Sequence, residues 1–400
     1  MSESSPSTHL RLNFSHLYWD IFWYGVLAGS TIAFLNVYAA RLGATSLQIG
    51  LLTAGPAVAN LVVSLPVGRW LERRSLIRVT FSSSVWQRAG YVALIVLPWL
   101  LPAGGQVWAL QLIILLISVP GTLLAIAFNA MFAQIVPSEW RGQVVGRRNA
   151  LLALSITGTS LLCGQLLDRI VFPLNYQVVF CLGVVGAALS SYHLDRLRAA
   201  PSLPPPAQRT KKASSLLRLD LLLGPFGPVL AAYLLFYTFQ YVPIPLFPLA
   251  WVRELHLSDG AISLGNALFY VSMLLASTRV GRVSARWGHH RVLILGALTY
   301  CVYPLFTGLA RDAGLFWVAS VTGGLAWAFA SAGLINRLME RVPPDDLPAH
   351  MALHNLALNL GILGGSLVGP VLGNWLGLRQ ALLIAAGLRV LSSVLLGLWG

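Results

Sequence analysis

Gly68-Arg69-Trp70-Leu71-Glu72-Arg73-Arg74-Ser75 is a basic island between two long apolar runs. A second island of the same kind, Gly281-Arg282-Val283-Ser284-Ala285-Arg286-Trp287-Gly288-His289-His290-Arg291, follows at an offset of 213 residues. Another pair repeats the arrangement. Val136-Pro137-Ser138-Glu139-Trp140-Arg141-Gly142 leads into Asn149, and Val342-Pro343-Pro344-Asp345-Asp346-Leu347-Pro348 leads into Asn355, at an offset of 206. Two pairs at nearly one spacing mark the chain as an internal repeat.

Between the islands the 400 residues are largely apolar: 56% are hydrophobic and 10% charged. A soluble globular chain carries roughly 25% charge. Composition therefore excludes disordered and fibrous chains and points to lipid as the solvent. A helix needs roughly 20 residues to cross the hydrocarbon core. Candidate spans lie near 19–40, 46–67, 76–100, 107–135, 144–167, 175–194, 225–250, 261–280, 292–310, 315–338, 350–373 and 380–399. A net charge of +14 on a soluble protein would suggest nucleic acid. Here, placing the N-terminus in the cytoplasm puts 20 of the 27 Lys and Arg on that side and 5 opposite, with Arg88 and Arg389 inside spans. That asymmetry is an orientation signal. No nucleic-acid partner is expected, and the chain reads as a multi-pass protein of the cell (inner) membrane with both termini cytoplasmic.

Residues 196–223 hold three consecutive prolines, Pro204 to Pro206, and the Arg209-Thr210-Lys211-Lys212 cluster. They read as a cytoplasmic linker between two units of six spans, 1–195 and 224–400. Both units start on the same side, so the repeats are parallel. The first 18 residues are polar and show no pattern of a cleavable leader. Cys163, Cys181 and Cys301 lie in apolar runs without metal-ligand spacing and read as packing residues.

With these features the chain, from about Leu17 to Leu398, resembles the major facilitator superfamily of secondary transporters. That family's signature loop follows the second span. It reads glycine, three residues, aspartate, a basic residue, any residue, glycine, then basic residues. Gly68, Glu72 and Arg73 fit it, with glutamate for aspartate; Ser75 replaces the second glycine and Arg78 arrives late. The second copy keeps Gly281, Arg286, Gly288 and Arg291 but has Ala285 at the acidic position. The resemblance implies an all-α integral membrane protein, twelve transmembrane helices in two six-helix bundles. It also implies that Glu72 latches the N-terminal end of the eleventh span, where the helix dipole favours a carboxylate. Gly68, Arg73 and Arg141 would assist, and Gly281 and Arg286 form the reciprocal copy, weakened by Ala285.

In that family substrate binds near the midplane between the halves, so polar and aromatic residues of the lining spans are the candidates: Asn36, Asn129, Tyr237, Gln240, Tyr241, Asn266 and Trp327. The seventh span is the densest, with Pro243, Pro245 and Pro248 following Tyr241. Prolines at that spacing remove backbone donors and break a helix. The glycines from Gly361 to Gly373 suit close helix packing. No Asp or Glu falls in the middle of a span as drawn; the nearest, Asp20, lies at the start of the first. Asp20 is the candidate for coupling to protons or another ion, and Arg88, which could meet an anionic group, is the second.

The reading is therefore a secondary or facilitative transporter of a small organic solute, working by alternating access as a monomer among membrane lipids. Export of a hydrophobic or amphipathic compound is preferred, and uptake of a sugar-like or other neutral nutrient is the runner-up. The alternative from another class is a receptor or assembly factor with a transporter fold. No paired carboxylates, metal-binding histidine pattern or phosphate loop is evident, so neither enzyme activity nor a cofactor is expected.

Overall fold

A computed structural model describes residues 8–71, 74–198, 218–343 and 346–400. Among them the chain is helical throughout, an all-α multi-span membrane protein. Its rods are α1 (His9–Arg41), α2 (Ser46–Leu71), α3 in two pieces (Leu76–Ala89 and Val92–Leu100), α4 (Ala103–Ile135), α5 (Ser138–Arg169) and α6 (Leu174–Asp195). After the segment expected as linker come α7 (Phe226–Glu254), α8 (Asp259–Trp287), α9 (His289–Leu309), α10 (Ala313–Arg341), α11 (Leu347–Leu376) and α12 (Leu378–Trp399).

Eleven of these are long and apolar enough to cross a membrane. The third falls short because its hydrogen bonding changes at Gly90–Tyr91. There the amide of Tyr91 bonds the Arg88 carbonyl, and that of Leu94 bonds Tyr91, a tighter i to i+3 pattern. Backbone angles at Gly90 and Tyr91 stay right-handed helical, so the rod continues beyond the break. The helices start earlier than apolarity alone suggests: α1 begins about ten residues before the expected span, because polar residues of its first turns find partners. Asn13 exchanges hydrogen bonds with the backbone of Arg198, and His16 meets His193 at 3.0 Å.

Large apolar side chains such as Val62, Leu116, Leu154, Leu275 and Leu398 are exposed, a pattern stable in hydrocarbon and not in water. Exposed tryptophans gather at both ends of the rods, as where lipid meets water: Trp70, Trp287 and Trp399 at the end of the termini, and Trp99, Trp108 and Trp375 at the far end, while Trp19 and Trp86 are exposed further along their helices.

The rods pack mostly within their own half. In the first, α1 packs on α5 and α6, and α4 on α2 and α3; in the second, α8 and α9 pack on α10, and α7 on α11 and α12. Two long contacts join the halves, α2 with α11 and α5 with α8. The repeat relates these two contacts, since spans two and five of one half correspond to eight and eleven of the other.

The α7 helix is broken where the prolines predict. It runs from Phe226 to Tyr241, is interrupted, and resumes at Leu246, ending in a π turn over Ala250–Glu254. Beside the break, α11 presents glycines to α7, as expected for close packing. A Cβ at Gly365 would overlap the Thr238 carbonyl oxygen, and one at Gly369 that of Val242. Gly364, one residue off this stripe, has only ordinary contact, 3.7 Å to Thr238. Gly369→Ala is therefore expected to cost about 1–3 kcal/mol through overpacking, seen as a lower unfolding midpoint in detergent. Gly364→Ala should change it little. Equal midpoints for the two variants would contradict the packing.

Candidate functional site

The α1 helix begins three turns before Asp20, which alters how that residue must be read. From Thr8 to Asp20 is about 18 Å of helix at 1.5 Å per residue. The sequence places Asp20 at the start of a span, with no carboxylate in the middle of one; in the structure α1 continues for three turns before it, and Asp20 is buried. The burial is compensated electrostatically. The Asp20 carboxylate accepts from Ser190 Oγ at 2.6 Å and from Arg148 Nη1 at 3.3 Å, and Arg88 Nη2 lies 3.8 Å away.

Arg148 was counted among the flanking basic residues that orient the chain. Because α5 starts at Ser138, Arg148 stands about 15 Å inside its helix. It is buried, donates to the Leu17 carbonyl at 2.6 Å, and lies over the Phe128 ring at 4.7 Å. Arg88, from α3, donates to Ser191 Oγ at 2.7 Å. Four helices thus supply one carboxylate, two guanidinium groups and two hydroxyls. Arg148, Ser190 and Ser191 were not singled out from the sequence. In the sequence Arg148 already falls within the expected span 144–167, but it groups with Arg141 and Arg147 as an orienting charge; its partners, Leu17 and Asp20, are distant in the chain.

Asp20, Arg88 and Arg148 line a cavity of about 290 Å³, with Tyr24, Gln87, Phe128 and Asn129 on its walls. Asn129 is exposed at this wall, so this expected residue does reach the cavity.

The other expected residues lie elsewhere. Tyr237 is buried and hydrogen-bonded to His354 Nε2 at 2.8 Å, across the α7–α11 contact. Gln240 is buried at the α7 break, where its main-chain carbonyl accepts from Arg389 Nη2 at 2.9 Å. Arg389 is 1% exposed, also donates to the Tyr300 carbonyl at 3.1 Å, and lies over the Tyr300 ring. The α9 rod is itself interrupted at Tyr300–Cys301, between Thr299 and Val302, so one α12 side chain satisfies carbonyls at breaks in both α7 and α9. Tyr241 is half-buried with its Cβ facing Gly365, Trp327 is half-buried 5.2 Å from the Tyr300 ring, and Asn36 and Asn266 are half-buried on α1 and α8.

Of the expected latch, Glu72 and Arg73 lie outside the described residues, and Gly68 lies within α2. Arg141 donates to the carbonyls of Ala133 at 2.6 Å and Val136 at 3.0 Å, capping the end of α4 in its own half. Gly281 and Arg286 are exposed on α8.

Polar contacts between the halves gather at the opposite end of the molecule. Arg41, at the end of α1, donates to Asp259 Oδ1 at 3.1 Å and to the Leu257 carbonyl at 2.6 Å. Tyr176 OH donates to the same Asp259 oxygen at 3.0 Å. The Asp168 carboxylate, at the end of α5, accepts from the Gly260 amide at 3.1 Å and Ser258 Oγ at 2.9 Å, closing over the N-terminus of α8 where the dipole favours it. Arg253 donates to the Ala44 carbonyl at 2.6 Å, and Ser46 Oγ to Asn374 Oδ1 at 2.5 Å. Val37 packs among the apolar residues of α7 at this level. Away from this end, among the described residues, the cross-half hydrogen bond is Asn355 Nδ2 to Asn60 Oδ1, at 3.4 Å.

A family model described as Major Facilitator Superfamily matches residues 21–228 and 229–400. A "Putative sugar efflux transporter" of Deinococcus radiodurans is 26% identical over 374 residues, covering 89% of this chain and 90% of that protein. "Multidrug resistance protein 2" of Bacillus subtilis is 24% identical over 154 residues, which span 38% of this chain and 37% of that relative. Among solved structures, the nucleoside transporter NupG superposes with a TM-score of 0.74 at 15% identity, covering 96% of this chain and 98% of that one. A bacterial homologue of the iron transporter ferroportin, in an inward-facing state, gives 0.72 at 14% identity, covering 98% and 99%. At these identities the structures speak for the fold.

Proposed function

The chain belongs to the Major Facilitator Superfamily, and from that premise we propose that it exports a small organic solute across the cell membrane by alternating access. In this reading two six-helix bundles, residues 1–195 and 224–400, rock against each other as a monomer with both termini in the cytoplasm. The chain does no covalent chemistry and uses no cofactor. The observation that carries the reading is the asymmetry between its ends: the cross-half bonds from Arg41, Asp168, Arg253 and Ser46 seal one end. The cavity at Asp20 lies toward the other. The two contacts that join the halves, α2–α11 and α5–α8, are the surfaces on which such rocking would turn. Export is supported by the names of the two relatives, one an efflux transporter and the other a resistance protein. Protons are the proposed coupling ion, at Asp20, which faces the cavity.

The test is flux of labelled hydrophobic, sugar and anionic solutes into everted vesicles, with and without an imposed pH gradient. Ser46→Cys and Asn374→Cys would place a disulfide across the sealed end. Oxidation should stop flux and reduction restore it. Undiminished flux in the locked protein would sink alternating access. No flux of any solute class would favour the receptor alternative, and flux indifferent to pH would remove protons.

A further inference from the structure

We infer that the cavity beside Asp20 receives the anionic group of a small organic solute, held by Arg88 and Arg148. This rests on the transport reading for its physiological meaning but not for its test.

The argument starts from charge. The cavity is lined by two guanidinium groups and one carboxylate, so the cluster carries an excess of one positive charge where water is scarce. A buried charge without a counter-charge is costly, and packing alone does not require one. The surplus cation therefore calls for a partner the chain does not supply.

Hydrogen bonding gives a second, independent argument. Each guanidinium carries five donors. Arg88 is 5% exposed; its Nη1 is used by Ser191, its Nη2 stands off from Asp20 at 3.8 Å, and its buried Nε has no partner. Arg148 spends Nη1 on the Leu17 carbonyl and Asp20. The donors left over on two guanidinium groups match the lone pairs of a carboxylate or phosphate, which arginine binds in charge-assisted pairs.

The remaining walls limit the rest of the solute. Tyr24, Gln87 and Asn129 offer hydroxyl and amide groups, while Ile21, Leu124 and Phe128 are apolar. At about 290 Å³ the space sits near the lower end of small-molecule pockets, roughly 300–1,000 Å³. A single-ring or six-carbon anion fits that size. The sequence-level preference for a hydrophobic or neutral solute was made against a cation, on the lack of a carboxylate in the middle of a span; two guanidinium groups at the cavity turn the choice toward an anion.

The test is binding, measured by calorimetry on the purified full chain in phosphatidylcholine nanodiscs. The probes are benzoate and gluconate against their neutral counterparts benzyl alcohol and sorbitol. At least one anion should bind at least about tenfold more tightly than its counterpart, since a charge-assisted hydrogen bond is commonly worth that much. Arg88→Gln and Arg148→Gln should each weaken it by about tenfold or more, and Arg88→Lys less. Should either glutamine variant fail to fold, Asn129→Trp, at an exposed position on the wall, should block the cavity and abolish anion binding. Neutral probes binding as tightly as the anions, or anion binding unchanged in these variants, would overturn the inference. So would an Arg88-dependent signal that arises only when phosphatidylglycerol is added, which would assign the site to a lipid headgroup. Anion binding without flux would defeat the transport reading and leave this one standing; flux of neutral solutes without anion binding would do the reverse.

Discussion

Asp20→Asn is expected to be the most destabilising single polar substitution in the first half, costing about 3–5 kcal/mol. The asparagine has nearly the shape of the aspartate, so packing survives. What is lost is the negative charge between Arg88 and Arg148, leaving two buried cations with none to balance them. The large part of the cost is this uncompensated charge, not the lost hydrogen bonds. A double substitution distinguishes the two: Asp20→Asn combined with Arg148→Gln should recover much of the stability, since it lowers the excess charge again. Thermal unfolding of the purified single and double variants checks this. If the double variant is no more stable than Asp20→Asn alone, the charge argument is wrong and Asp20 acts through its bond to Ser190.

Arg41→Ala is expected to shift the balance of conformations toward opening at the sealed end. Asp259 is nearly inaccessible when that end is closed and holds Arg41 and Tyr176. With Arg41 gone, closure strands a buried carboxylate with one hydroxyl, while opening returns it to water. The Arg41 side chain is 27% exposed, so solvent screens part of the pair. A bias of about 2 kcal/mol is a fair magnitude, roughly a thirtyfold change in the ratio of closed to open. Ser263 is buried at the α5–α8 contact against Gly164. A cysteine there, in a chain lacking Cys163, Cys181 and Cys301, should react with an impermeant maleimide about thirtyfold faster in the Arg41→Ala background. Unchanged labelling would mean that the pair does not hold the seal.

Most of the fold was legible because lipid imposes length and apolarity on every span, and the basic islands at Gly68 and Gly281 recur at one offset. The α7 break was legible from Pro243, Pro245 and Pro248, since proline acts through its own backbone. What hydropathy could not supply was the true start of α1 and α5. Those ends are fixed by polar side chains that find distant partners, as Asn13 does at Arg198. Nor could hydropathy show the distant partners that bury Arg148, a residue already within the expected span 144–167, and Asp20. The seal at the far end was hidden for the same reason. Arg41, Asp168 and Asp259 are far apart in the chain, and only the meeting of the halves makes them a set. The logic applied to Glu72, a carboxylate over a helix start, is seen at Asp168 over α8.

The shared bond from Arg389 has a mechanical consequence. Its guanidinium grips Gln240 in α7 and Tyr300 in α9, each beside an interruption of its rod. A strut pinned to two joints makes them bend together. Flexing of the seventh helix would drag the ninth with it, so a helix at the rim of the bundle would serve as the tie-rod of its inner machinery.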